Sequence, residues 1–402
     1  MSGAVLQRDE LADAPEISIV LPCRDEAATV ATCVAKALGA LDRLGVRGEV
    51  VVVDNGSTDG SGEIAERAGA RVVRESEPGY GRALKRGIDE ARGDWILMAD
   101  ADDSYDLADL EGFVAGLRGG ADLVMGSRFR GSIQPGAMPW LHRRIGNPVL
   151  SALLRFLFGG SVSDAHCGMR AFTRDAVDRM DLRGGGMELA SEMVVKAMLE
   201  HMRVAEVPIT LHVDGRDRPP HLRTFRDGWR HLRLMLLLSP THVFVVPGLL
   251  IMLLGLVPLA TLGEGPRKIG AMSFDVHFLV LGSLLTILGF QILTTGLFAK
   301  TYSHAARLYP PDRLLSSFLR HFVLERGLVL GGALFLVGFV RDAAILVGWL
   351  GSGFGGLDAV RPALQASTAM IVGLQAIFSS FFLELLRWAP PAAQPPTSRS
   401  PR

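Results

Sequence analysis

The sequence predicts an α/β domain with a mostly parallel sheet, followed by an all-α membrane domain of four helices. Three observations carry that prediction. Up to Pro240, short β-rich runs alternate with helical stretches, the order that builds parallel sheets covered by helices. One of those runs, Glu49 to Val53, is apolar after its glutamate without alternation, as in a strand buried on both faces. After Pro240 come four apolar segments, each long enough to cross ~30 Å of hydrocarbon as a helix.

Taken in order, residues 1–15 lack an apolar signal core and read as a flexible N-terminus. Residues 16–218 form the α/β domain, with strands at Glu16 to Leu21, Glu49 to Val53, Ala70 to Val73, Trp95 to Ala99 and Asp122 to Met125. Helices are expected at Ala27 to Leu44, Asp59 to Ala68, Arg82 to Ala91 and Leu107 to Leu117. His142 to Phe158 starts basic and continues with Val149, Leu150, Leu153, Leu154 and Leu157, which suits a membrane surface or a core position equally. Met187 to His201 is helical, and its Glu188 and Glu192 read as a solvated acidic face.

Residues 219–240 follow Pro219 and Pro220. Leu222, Phe225, Trp229, Leu232 and Leu236 recur there at helical spacing, with Arg223, Arg226, Arg230 and Arg233 one position over. That is an amphipathic juxtamembrane helix with a basic stripe. The membrane domain covers 241–388, with spans at about 242–263, 277–298, 327–350 and 363–386, and residues 389–402 read as a disordered tail. Lys300, Arg307, Arg313, Arg320 and Arg326 crowd one connection, so the positive-inside rule puts it, the α/β domain and the C-terminus in the cytoplasm. Arg341 beside Asp342 within the third span reads as a neighbour pair turned to the bundle interior.

Balanced charge, 42 basic against 42 acidic residues, lacks the footprint of a nucleic-acid binder. Cys23, Cys33 and Cys167, odd in number and widely spaced, make neither a disulfide framework nor a four-ligand zinc site and read as reduced structural thiols.

Ligands of such sheets bind at the carboxyl ends of the strands. There the chain carries Pro22-Cys23-Arg24-Asp25-Glu26, then Asp54-Asn55-Gly56-Ser57-Thr58-Asp59, then Asp100-Ala101-Asp102-Asp103. Ser57 and Asp59 read as helix caps. Asp100 and Asp102 do not, because two carboxylates leaving a buried strand repel unless a cation lies between them. Mg²⁺ or Mn²⁺, held by these two and by substrate phosphates, relieves that repulsion. Gly79-Tyr80-Gly81-Arg82 is one residue short of the dinucleotide fingerprint and follows the wrong strand. Its glycines let the backbone approach a nucleotide, with Arg82 or Lys85 offering charge.

In order and spacing, Pro22 to Glu26, Asp54 to Asp59, Gly79-x-Gly81-x-Ala83 and Asp100-x-Asp102 resemble family 2 glycosyltransferases of GT-A fold. Gly126 to Phe129, Asp164 to Phe172 and the membrane tail resemble the polyprenyl-phosphate hexose synthase branch. The resemblance covers residues 16 to about 240 and implies an inverting transfer of a hexose from a nucleotide diphosphate sugar to a polyprenyl phosphate. It places Pro22, Arg24, Glu26, Asp54, Gly79, Gly81, Arg82 and Asp100 on the nucleotide sugar, and metal diphosphate on Asp100 and Asp102. Asp25, Asn55 and Ser104 depart from the family's commoner Asn, Asp and Gln, which leaves the nucleotide open.

A phosphate monoester, with second pKa ~6, needs no general base as nucleophile but does need cations. Arg128, Arg143, Arg144, Arg170, Arg216, Arg218 and Arg223 are the candidates, Arg128 and Arg223 foremost, and Asp164 is a sugar-contact candidate. Two alternatives stay open: a processive polysaccharide synthase, whose Q-x-x-R-W signature is missing at Arg387-Trp388, and a non-catalytic membrane scaffold or translocator. A homo-oligomer is also left open.

Overall fold

The computed structural model describes residues 14–216, 224–306, 308, 313–321 and 324–388. Arg218 and Arg223, the expected flexible N-terminus up to residue 13 and the expected tail 389–402 lie outside the described residues. Two compact units meet in sequence between Leu237 and Leu238.

The first unit opens with β1 (Ile17–Cys23), α1 (Val30–Leu44), β2 (Gly48–Asp54), α2 (Ser61–Arg67), β3 (Arg71–Arg74), α3 (Tyr80–Glu90) and β4 (Trp95–Met98). These four strands pair in parallel, and Val50 to Val53 are no more than 1% exposed, as an unbroken apolar run demands. Then follow α4 (Glu111–Arg118), β5 (Leu123–Ile133), α5 (Asn147–Phe158), β6 (Arg170–Thr173), α6 (Arg174–Met180), α7 (Leu189–Leu199), β7 (Val204–Leu211) and α8 (Thr224–Leu237). The sheet order is β3-β2-β1-β4-β6-β5-β7, so the sheet is mostly parallel.

Two strands escaped the sequence reading. β6, for which no strand was expected, runs antiparallel between β4 and β5. Its four residues are too few to show a period. β7 pairs with β5 at the sheet edge, where Pro208 is tolerated. The helix expected over His142 to Phe158 is split: a π-helical turn, His142–Gly146, precedes α5, whose Pro148 lacks an N–H to donate. All three cysteines are free and buried, and burial pushes each thiol up to about 12.

Among the described residues of the second unit four helices are long and apolar enough to cross a membrane: Thr241–Thr261, whose α-helical part is α9 (Val246–Thr261), α10 (Val276–Ala305), α12 (Leu324–Gly351) and α13 (Val360–Trp388). A short hairpin, β8 (Arg267–Ile269) with β9 (Met272–Phe274), joins the first two, and α11 (Arg313–His321) lies in the basic connection. Glycine sets the helix spacing: a Cβ on Gly289 would fall 2.3 Å from the Met252 nitrogen, and one on Gly373 2.6 Å from the Gly331 oxygen. The expected Arg341–Asp342 pair is not formed among the described residues. Asp342 accepts from the Ser367 hydroxyl at 3.3 Å, tying α12 to α13, while Arg341 is exposed.

Candidate active site

The loops after β1 and β2 are stitched together by short side chains. The Asp25 and Glu26 N–H groups donate to the hydroxyls of Ser57 and Ser61, Ala27 donates to Asp59, and Thr58 donates back to Asp25. Ser57 and Asp59 therefore hold one loop to the other, and the N-cap position of α2 is Gly60. Asp54 accepts from the Ser57 N–H at 2.8 Å, which closes a turn. Asn55 fastens the next loop: its amide donates to the Glu75 and Glu77 carbonyls and accepts from the Gly79 N–H.

These loops frame a cavity of about 860 Å³. Its walls include Pro22, Cys23, Arg24, Glu26, Asn55, Tyr80, Arg82, Asp100 and Asp102 from the first half of the domain. The second half adds Gly185 to Glu188, Arg216, and Arg226, Asp227 and Arg230 of α8. Asp100 accepts from the Tyr80 hydroxyl at 2.8 Å. Burial, with the neighbouring Asp102, raises its carboxyl from 3.8 to about 6. Asp102 accepts from Ser104 through Oδ1 and meets the Arg216 guanidinium at 2.6 Å through Oδ2. Arg216 also reaches Glu26 at 3.5 Å and Asp214 at 3.2 Å. Asp25 (φ 55°) and Asp103 (φ 60°) take the left-handed conformation beside these carboxylates, and Lys36 pins Asp103 at 2.7 Å.

No group of three or more His, Cys, Asp or Glu side chains suited to a metal exists among the described residues. The acidic pair still fits Mg²⁺ or Mn²⁺, which are commonly held by one or two carboxylates with substrate phosphates completing the shell. Burial and the neighbouring Asp102 raise Asp100 although Arg216 and Arg128 pull it down, and the Arg216 guanidinium lies against Asp102.

Residues 18–181 match the model of glycosyl transferase family 2, and residues 297–387 that of the family 2 C-terminal transmembrane region. The chain is 39% identical over 371 residues, 92% of its own length and 89% of the relative's, to the low-salt glycan biosynthesis hexosyltransferase Agl6 of Haloferax volcanii. The chain belongs to glycosyltransferase family 2. A dolichyl-phosphate hexose transferase of the same organism is 34% identical over 163 residues, covering 40% of this chain and 69% of that protein. Among solved structures, a glucosyl-3-phosphoglycerate synthase of Mycobacterium tuberculosis aligns at TM-score 0.45 and 24% identity, over 55% of this chain and 79% of that one. By its family model, its relatives and its four candidate spans the chain is a transferase and a multi-pass membrane protein.

The glycosyltransferase brings together Pro22, Arg24, Glu26, Gly79, Arg82, Asp100, Asp102 and Arg216 of the expected residues. Gly79 and Gly81 are small because of the protein's own backbone: a Cβ on either would fall 2.5–2.7 Å from carbonyls of Gly184 to Gly186. Arg82 pairs with Glu77 at 2.9 Å, and Lys85 donates to the Leu182 carbonyl. Arg128 and Asp164, expected on acceptor and sugar, are buried against each other in a two-point ion pair at 2.6 and 2.8 Å, and Asp164 is fully buried. Arg170 is enclosed in the core and donates to the Cys167 and Ala190 carbonyls, so it is not placed to meet a phosphate. Arg143 and Arg144 are exposed on the π-helical turn, and Asp54 lies outside the cavity lining.

Glu192, expected to be solvated, is buried, bonds Lys196 at 2.7 Å and accepts from the Arg183 and Gly184 N–H groups, which fixes the glycine loop. The reading missed Tyr80, Glu188 and the cavity role of α8. A tyrosine framed by two glycines and a carboxylate directly after Gly184 to Met187 were the available signals. His166 joins Ser191 and His231 in a cluster that fastens α8 to α7. Burial lowers the His231 imidazole to about 4.

Proposed function

We propose that the enzyme transfers one hexose from a nucleotide diphosphate sugar to the phosphate of a membrane polyprenyl lipid, with inversion and with Mg²⁺ or Mn²⁺. The observation that carries this reading is the Asp100–Asp102 pair at the end of β4, facing a cavity with arginines on its walls. The relative described as a dolichyl-phosphate hexose transferase supports a lipid phosphate as acceptor.

When bound, the metal supplies Lewis acidity to the departing diphosphate. Asp100 and Asp102 would hold it, and Tyr80 fixes the Asp100 carboxylate in place. Arg216, charged and next to Asp102, offers a planar fork to a phosphate once the acidic pair has another cation. A phosphate oxygen of the lipid attacks the anomeric carbon as the bond to the nucleotide diphosphate breaks on the opposite face. The acceptor is already ionised, so no side chain has to take a proton. Positioning carries much of the rate.

The first unit also displays a surface suited to a bilayer. Trp140, Ile145, Val149, Phe156, Phe225 and Trp229 are exposed on the π-helical turn, α5 and α8 and the residues before them, with Arg143, Arg144 and Arg233 exposed among them. His142 and Thr224 link the turn to α8 at 3.0 Å. Apolar bodies with basic neighbours favour anionic headgroups, and the charge bias of the connections favours the cytoplasmic leaflet. The test is release of UDP or GDP from donor sugars by detergent-purified protein, with and without polyprenyl phosphate. The proposal predicts release that requires both lipid and divalent metal. Release independent of lipid would point to hydrolysis or another acceptor and refute it.

A further inference from the structure

We propose that Arg226 and Arg230 of α8 together bind the phosphate of the lipid acceptor inside the cavity. This rests on the reading that the enzyme transfers a hexose to a polyprenyl phosphate.

The helix presents two kinds of side chain at once. Arg226 and Arg230, four apart and so on one face, line the cavity. The residues just before them, Phe225 and Trp229, are 85% and 57% exposed, so an apolar row runs beside the basic one, about 100° round the helix. His231 meets Ser191 at 2.8 Å and Thr224 meets His142 at 3.0 Å, which fixes both rows relative to the domain. An amphiphile with an anionic head and a hydrocarbon tail matches this helix, the head on the guanidiniums and the tail beside the aromatic rings. A nucleotide arriving from water has no use for the apolar row.

The charges on the cavity wall narrow the choice. Arg82 is held by Glu77 at 2.9 Å, and Arg216 by Asp102, Glu26 and Asp214. Arg24 comes from the β1 loop and shares no element with the exposed aromatics. Among the described residues Arg226 forms no ion pair, and Arg230 meets Asp227 at 3.5 Å. Like charges four apart on a helix repel, and a phosphate monoester, close to a dianion near neutral pH, satisfies two of them at once. Each planar guanidinium gives it a two-point contact. Arg230 Nη1 lies 3.1 Å from where a Cβ on Gly186 would stand, so its head closes against the glycine loop. Asp227 and Glu188 share this wall, so one guanidinium alone would leave the phosphate facing net negative charge, and both are required.

The test uses the full-length protein in detergent with Arg226→Gln, Arg230→Gln and the two matching lysine variants. Transfer is measured with two acceptors, a polyprenyl phosphate in mixed micelles and a short-chain prenyl phosphate that dissolves in water, and affinity for UDP and GDP is measured by calorimetry. Each Gln variant should raise KM for both acceptors by about tenfold or more, with nucleotide affinity within about threefold of wild type. The lysine variants keep the charge, and with it the fold, and should raise KM by about threefold. A defect confined to the long-chain acceptor overturns the assignment, because the arginines would then hold the bilayer and not the phosphate. A parallel loss of nucleotide affinity overturns it by placing them on the donor diphosphate, and an unchanged KM overturns it outright. Wild-type protein that transfers hexose to neither acceptor would instead overturn the reading beneath it.

Discussion

Exchanging Asp100 for Asn should make the metal-free protein more stable at neutral pH while removing turnover. Asn keeps an oxygen that can accept from the Tyr80 hydroxyl, so the perturbation is mainly loss of charge. The carboxyl is raised from 3.8 to about 6 by burial and by Asp102, so the folded state holds its proton more tightly than the unfolded chain does. That contribution is full below the unfolded value and is lost as pH rises through about 6. At pH 7.5 an ionised Asp100 costs the folded protein about 3 kcal/mol at most, at ~1.4 kcal/mol per pKa unit, and solvent in the cavity trims this toward about 1 kcal/mol. The assay is thermal unfolding in detergent with a chelator, at pH 7.5 and at pH 5. The Asn variant should melt a few degrees higher at pH 7.5, with the advantage shrinking at pH 5. Added Mn²⁺ should stabilise wild type more than the variant. A variant that melts lower at pH 7.5, or gains equally at both pH values, would show that ionised Asp100 does not cost the fold.

Other perturbations reach different parts of the account. Asp102→Ala should abolish turnover while membrane insertion, read by fractionation, is unaffected. Asp164→Asn leaves Arg128 buried without its counter-charge and should cost about 3–5 kcal/mol in unfolding, whether or not the acceptor is present. Gly81→Ala drives a methyl into the Gly184 and Gly186 carbonyls and should weaken donor binding, read as a raised KM or a lost fold. Because burial holds His231 neutral down to about 4, the unfolded chain binds the extra proton first. Melting temperature should therefore fall as pH drops from about 6.5 to 4, and His231→Asn should flatten that slope.

Much of the fold was legible because period and length are strong signals. The Glu49 to Val53 run could only be a doubly covered strand, and the four apolar segments could only be spans. β6 was hidden because four residues are too few to show a period. The acidic pair was legible from i, i+2 repulsion. The fate of the arginines was not, since a guanidinium looks the same in sequence whether it meets a phosphate, a buried carboxylate as Arg128 does, or backbone carbonyls as Arg170 does. Gly79 and Gly81 were expected to let the backbone approach a nucleotide, and the structure packs the carbonyls of Gly184 to Gly186 against them. Of the basic stripe only Arg223 was expected to meet a phosphate, yet Arg226 and Arg230 line the cavity.

The central claim is that the Asp100–Asp102 pair and a divalent cation drive hexose transfer onto a lipid phosphate. The most direct measurement places the full chain in liposomes with polyprenyl phosphate, a labelled nucleotide hexose and Mg²⁺ or Mn²⁺, then follows label into the organic phase. The account predicts an acid-labile glycolipid whose formation stops with chelator and with Asp102→Ala. Label that reaches lipid equally well from the Asp102→Ala protein would contradict it.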